Sequence, residues 1–283
     1  MTNAYCDLAT LKSGGALNIS GSGHDRRLLH LLEEASRLID GYCNRHFYVL
    51  ETTRQFEANW WSPGLQQLLV PDLIGADSVR VAAKFDGVDS PPGWRTAEYR
   101  LYPMDAAPER AWGRPYTRMA IEPVCTPVCR RTDCHALVEV AGRWGYRQDL
   151  QETGVATSAA LGAGDASVTV SGTVPGTEGI SPGQTLRLDD EQVYVTAVAA
   201  QGLTVERGVN GTEAAAHEPG TSINAYRYPG PVSEACLQLA VQLWHTRGRA
   251  AVGENEAGRR PESSGGLGRE AKALVAAYRK LAL

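Results

Sequence analysis

The 283-residue chain lacks any run approaching the ~20 consecutive apolar residues that a membrane-spanning helix needs, and such a helix is excluded. Its opening, MTNAYCDLATLKSGG, has neither a basic nor an apolar stretch, so a secretory signal is not expected. Charge of one sign is scarce too: 28 Lys/Arg stand against 32 Asp/Glu, a net −4 that is too mild to make nucleic acid or a membrane the main partner. No HExxH or EF-hand loop occurs. Gly162-Ala163-Gly164 opens like a dinucleotide fingerprint, but the third glycine is missing and a strand follows, so no helix N-terminus meets a phosphate. Gly21-Ser22-Gly23 precedes a helix but has no third glycine and no Walker lysine.

Three textures are present. The first is helical: Leu28, Leu31, Leu32, Ala35, Leu38, Ile39 and Tyr42 fall at the spacing of one buried stripe, with Ser22 or Asp25 as candidate cap and Gly41 near the end. A short turn is expected before it, from Asp7 to Lys12. The second is strand-like, in segments such as FYVLETTRQFE, SVRVAAKF and HALVEVAGRWGY with no helical crossovers between them, which predicts antiparallel sheet. Near Asp149 a small, polar stretch reads as a linker. Beyond it, Ser167 to Tyr226 is wholly β, with Leu186, Leu188, Val193 and Val195 on one side if Asp189-Asp190 makes the turn. Helical texture then returns, with Val232, Ala235, Leu239, Val241 and Leu243 behind a first-turn Pro231, and with Leu267, Ala271, Leu274, Val275, Tyr278 and Leu281 after a Gly/Ser-rich gap. The stretch from Thr246 onward holds eight Lys/Arg against four Asp/Glu, a +4 tail on a −8 body.

Six cysteines in a long chain without an export signal do not suggest a disulfide framework. Cys6, Cys43 and Cys236 sit in apolar patterns and read as core residues. Cys125, Cys129, Cys134 and His135 are four possible metal ligands, but their spacing departs from the tight CxxC pairs of zinc sites. Asp189-Asp190-Glu191 reads as a turn rather than a cation site. The tryptophans are scattered and poorly flanked by Lys/Arg, as core or interface anchors would be. No catalytic constellation, cofactor site or metal site is expected.

Two segments carry a resemblance. Leu8 and Leu11 in a short turn, then Asp25 and LLHLLEEASRLIDGYCNRHF, resemble the opening of tailed-phage head-tail connector (adaptor) proteins; PVSEACLQLAVQLWHTRGRA resembles their late helix. LRLDDEQVYVTAV…LTVERGVNGTEAAAH resembles a small β domain common in phage structural proteins. The resemblance implies an α+β fold: a helical adaptor core, made of the long N-terminal helix and the C-terminal helices, with antiparallel β segments and an inserted all-β domain. The expected domains are 1–150 (core), 155–227 (inserted small barrel or sandwich) and 228–283 (late helix and portal-docking tail). It also implies a non-enzymatic virion protein of the neck, made in the host cytoplasm. Such a protein forms a dodecameric ring beneath the portal, extends the DNA channel without specific DNA binding, contacts the next neck or tail protein and touches no membrane. Arg269, Lys272, Leu274, Val275, Tyr278, Arg279, Lys280 and Leu281 would then dock on the portal. Other classes stay open: a stopper or tail-completion protein, a thiol or zinc enzyme using Cys125, Cys129, Cys134 and His135, and a glycan-binding module using the β insert.

Overall fold

The computed structural model describes residues 3–59, 66–84, 94–122, 135–171, 179–252 and 267–280. The chain divides into two compact units, one of Met1–Phe47 with Asp149–Leu283 and one of Tyr48–Gln148.

The Tyr48–Gln148 unit is an antiparallel sheet of β1 (Leu50–Asn59), β2 (Gln66–Lys84), β3 (Arg95–Thr96), β4 (Tyr99–Tyr102), β5 (Tyr116–Ile121) and β6 (His135–Trp144). Its order is β1-β6-β2-β5-β4, with β3 paired to β2. The 19-residue β2 stays paired to both neighbours only by shifting register, once between Leu69 and Leu73 and again on either side of Gly75 and Ala76. Pro71, which has no N–H to give the ladder, lies within the first shift. At the second, β6 comes so close that a Cβ on Gly142 would lie 2.3 Å from the Gly75 carbonyl oxygen, so only glycine fits. Alternating residues Val138 and Val140 join Val79, Val81, Met119, Ile121 and Trp144 in one core. Trp144 is fully buried; its indole N–H donates to the Thr52 carbonyl at 2.9 Å and the Arg54 guanidinium lies over its ring.

In the other unit, α1 (Leu8–Lys12) is capped by Asp7, whose carboxylate accepts from the Thr10 N–H and hydroxyl. α2 (Asp25–Cys43) buries Leu28, Leu31, Leu32, Ala35, Ile39 and Cys43, while Leu38 and Tyr42 of the expected stripe are only half-buried. Neither Ser22 nor Asp25 is its N-cap: that position is His24, without a side-chain cap bond, and Asp25 instead takes Lys12 Nζ at 2.5 Å. The helix runs past Gly41 and ends at Asn44, whose left-handed backbone returns its N–H to the Asp40 carbonyl. Strands β7 (Asp149–Thr157), β8 (Ser167–Ser171), β9 (Thr185–Leu188), β10 (Glu191–Ala199), β11 (Gly202–Glu206) and β12 (Ser222–Arg227) close a barrel in the order β10-β11-β8-β7-β12-β9. The stretch at Asp149 that reads as a linker is therefore barrel strand. Its apolar content is low because only Val155 and Thr157 of β7 are buried. The turn at Asp189-Asp190 forms as expected, with Asp189 left-handed, and Leu186, Leu188, Val193 and Val195 all enter the barrel core.

Helices α3 (Gly230–Val252) and α4 (Arg269–Val275) complete this unit. α3 packs on α2 through Val232, Ala235, Cys236 and Leu239, while Val241 and Leu237 are only half-buried. The near-continuous apolar sequence thus covers a helix with one face toward the core, not a helix buried all round. Leu267, Ala271 and Val275 are buried in the same unit, the Phe47 and Tyr278 rings meet edge to face, and the Lys280 N–H reaches the Cys43 carbonyl at 2.8 Å. The barrel is fastened to the N-terminal segment and to α1 by buried polar bonds. The Thr185 hydroxyl donates to Asn3 Oδ1 at 2.7 Å, Asn210 Nδ2 donates to Asn3 Oδ1 and Gln192 Oε1, and the Leu8 N–H donates to the Pro182 carbonyl.

The expected fold class, a helical core carrying β segments, is overturned. Among the described residues strands take 39% and helices 25%, and the sheet and the closed barrel each enclose an apolar cluster of their own. The physical reason lies in how the two kinds of element announce themselves. A 19-residue amphipathic stripe is complete within one local window. A strand shows its burial only after pairing with segments far away in sequence, as when β1 pairs with β6 across Leu50–Trp144.

Candidate functional site

A dense polar cluster lies where the barrel hairpin β9–β10 meets the loop after β11. Glu191, 1% exposed, accepts five hydrogen bonds. Arg207 donates from Nε at 2.6 Å and from its second terminal nitrogen at 2.7 Å, a bidentate fork. The backbone N–H groups of Gly208 and Ala215 each donate at 3.0 Å, and His217 Nε2 lies at 2.9 Å. Burial by itself would push the Glu191 carboxyl up. The hydrogen bonds from Arg207, Ala215, His217 and Gly208 outweigh it and hold the group at about 2. His217, itself buried, uses its other nitrogen on Asp189 at 2.8 Å. The rest of Arg207 donates to the carbonyls of Gly162, Asp165 and Ala215.

This arrangement does no chemistry. Its carboxylate is ionised and saturated, so it serves as neither general acid nor base, and both imidazole nitrogens are occupied. It locks the loop ERGVNGTEAAAH onto the barrel. The glycine-containing turn that resembles a dinucleotide fingerprint is its strut: the Gly162 N–H bonds the Asp165 carboxylate, their carbonyls hold Arg207, and strand β8 follows. Sequence reasoning took Asp189-Asp190-Glu191 for a turn and missed the hub; the signal was the pairing of that turn with Arg207 and His217 downstream.

A second polar hub joins α2 to the N-terminal segment. The Tyr5 hydroxyl donates to Asp40 at 2.6 Å and accepts from the Phe47 N–H, while Arg37 Nε pairs with Asp40 at 3.1 Å. Burial raises the Asp40 carboxyl to about 7, against the opposing pull of Arg37 and Tyr5. Ser36 bonds the Leu32 carbonyl and the Tyr5 N–H beside the Cys236 thiol, which burial pushes up to about 11; that thiol is a core group rather than a nucleophile.

Of the residues proposed from sequence for docking, Arg269, Lys272 and Arg279 are exposed, Leu274, Tyr278 and Lys280 are half-buried, and Val275 is fully buried. They form one short segment, with the cations on its outer side and Val275 turned inward. Leu281 lies outside the described residues, as do Cys125, Cys129 and Cys134 and the side chain of His135. Among the described residues no group of three or more His, Cys, Asp or Glu is arranged to hold a metal, and no helix is long and apolar enough to cross a membrane. A groove of about 510 Å³ opens beside α3 and α4, lined by Ala16, Glu234, Leu237, Gln238, Val241 and Glu270 among others.

No protein-family model matches the sequence, and no curated protein matches it. Among solved structures, one similar chain belongs to the neck of an empty GTA particle computed with C6 symmetry. It is 11% identical, with a TM-score of 0.39, over 94% of this chain and 86% of that one. At that score and identity the likeness has no weight in assigning a role.

Proposed function

We propose that the chain is a non-enzymatic structural subunit of a tailed-phage-like virion neck, an adaptor that joins a ring, by the family resemblance a dodecamer, beneath the portal. The observation that supports this reading is that the two segments carrying the resemblance come together. α2 packs along α3, and Leu28, Leu32, Ala35 and Ile39 are buried together with Val232, Ala235 and Leu239. In this reading the ring extends the DNA channel and offers its far side to the next neck protein. The acidic body suits a channel through which DNA must slide, since a strongly basic wall would hold phosphates by counterion release.

The apolar side of α4 is satisfied at home, so portal docking falls to the outward cations Arg269, Lys272 and Arg279, acting together over many subunits. The triple variant Arg269→Glu, Lys272→Glu, Arg279→Glu is expected to keep its circular dichroism spectrum and thermal midpoint. It is expected to lose co-sedimentation with portal rings. Full retention of portal binding would remove the tail from the docking role, and absence of the wild-type chain from the necks of purified particles would refute the neck assignment itself.

A further inference from the structure

Between β4 and β5 the loop 103–115 is held rigidly. The Ala106, Arg110 and Gly113 N–H groups each bond a carbonyl three residues back, and the Gln148 N–H bonds the Pro108 carbonyl at 2.8 Å. Arg143 pairs with Glu109 at 3.1 Å, while Arg147 donates to the Ala111 carbonyl and Arg114 pairs with Asp105. A Cβ on Gly113 would lie 1.6 Å from the Ala107 carbonyl oxygen, so this crossing of the loop admits glycine only. The inner residues Ala106, Pro108, Gly113 and Pro115 are buried, and the loop presents Trp112 outward at 77% exposure. Because the backbone beneath Trp112 is already fixed, binding through it adds little cost for ordering the loop. Beside it, Arg110 is exposed, and among the described residues its guanidinium has no hydrogen bond or ion pair.

The groove beside α3 and α4 has complementary chemistry. Leu237, Val241 and Ala271 give it an apolar floor, and its rim carries the carboxylates Glu234 and Glu270 with one cation, Arg269. At the rim, Gln238 Nε2 donates to Glu234 at 3.0 Å, which helps to fix that carboxylate. An indole is a large apolar body that suits such a floor.

We propose that Trp112 of one copy packs its indole on the apolar floor of the α3/α4 groove of a second copy, with its neighbour Arg110 facing Glu234 and Glu270. The contact is head to tail, each copy offering both halves, and closes into a ring where the rotation allows. It rests on the ring reading above and names the surface that builds the ring.

The test uses the full chain with a photoreactive phenylalanine analogue at position 112. Irradiation is expected to give an intermolecular adduct on the 234–242 stretch of α3. In velocity sedimentation Trp112→Ala should weaken self-association about thirtyfold or more, the scale of a hot-spot anchor. Arg110→Glu should weaken it less, with recovery when Glu234→Arg and Glu270→Arg are added. Mixing Trp112→Ala copies with Val241→Arg copies should yield dimers and nothing larger. An adduct elsewhere, unchanged association in Trp112→Ala, or a chain that stays monomeric at the highest soluble concentration would each overturn the contact. If the chain nonetheless sits in particle necks, the contact falls and the neck assignment stands; if the adduct forms but particles lack the chain, the reverse holds.

Discussion

Replacing Glu191 by glutamine tests the barrel lock most directly. The substitution keeps the side chain's size but removes its charge and turns one acceptor atom into a donor facing donors. Arg207, whose side chain is 8% exposed, then keeps its charge without a counter-charge, and the Ala215 or Gly208 N–H loses its acceptor. Breaking one partner of a buried ion pair costs ~3–5 kcal/mol, a large share of a typical ~5–15 kcal/mol domain stability. The pH dependence gives a second estimate of the same magnitude. With a folded value of about 2 against an ordinary ~4.3, the ionised carboxylate contributes about 3 kcal/mol. Because the folded value is depressed, that contribution is fully present above pH ~4.3 and is lost as the pH falls toward 2. No tryptophan lies between Asp149 and Arg227, so indole fluorescence does not report on the barrel. The suitable assay is amide hydrogen exchange of peptides covering 186–217, with urea unfolding followed by far-ultraviolet circular dichroism. In Glu191→Gln those peptides are expected to lose roughly a hundredfold or more in protection at pH 7, and the acid-induced loss between pH 4 and 2 should shrink. Unchanged protection together with an unchanged acid transition would refute the argument that this carboxylate holds the loop.

Asp40 carries the opposite sign. Its folded value is raised to about 7, so its contribution is fully present below pH ~4 and declines by about 1.4 kcal/mol per pH unit up to pH 7. Asp40→Asn should flatten that slope in urea midpoints measured from pH 5 to 8, and an unaltered slope would place the titration elsewhere. Val275→Ala removes two buried methyl groups from the α4 contact and should cost about 2 kcal/mol by chemical denaturation. No measurable loss would mean that α4 does not pack on its own unit in solution.

Local physics made some of this molecule legible in advance. The stripe from Leu28 to Ile39 sits within one helix, so its spacing alone names the buried face, and the Asp189-Asp190 turn follows from the alternation on either side of it. Asn44 was missed as the helix end because a left-handed asparagine is chosen by the chain that continues beyond it, while Gly41 is tolerated inside α2 with open space around its Cβ position.

Tertiary structure decided the rest, because the deciding contacts join residues far apart. Glu191 becomes a saturated hub only when Arg207 and His217 arrive from beyond β11, and Asn3 is a buried bond partner only because Thr185 and Asn210 come to meet it. The balance of the fold turned on the same point. Helical stripes are complete within a few turns of chain, but a sheet or barrel exists only once distant strands share hydrogen bonds. A reading that weighed local signal therefore placed the helices at the centre of a protein whose sheet and barrel each carry a core of their own. Sequence named Trp112 only as one of several anchors; that it stands outside while Trp144 is sealed inside was settled by the rigid loop that holds it there.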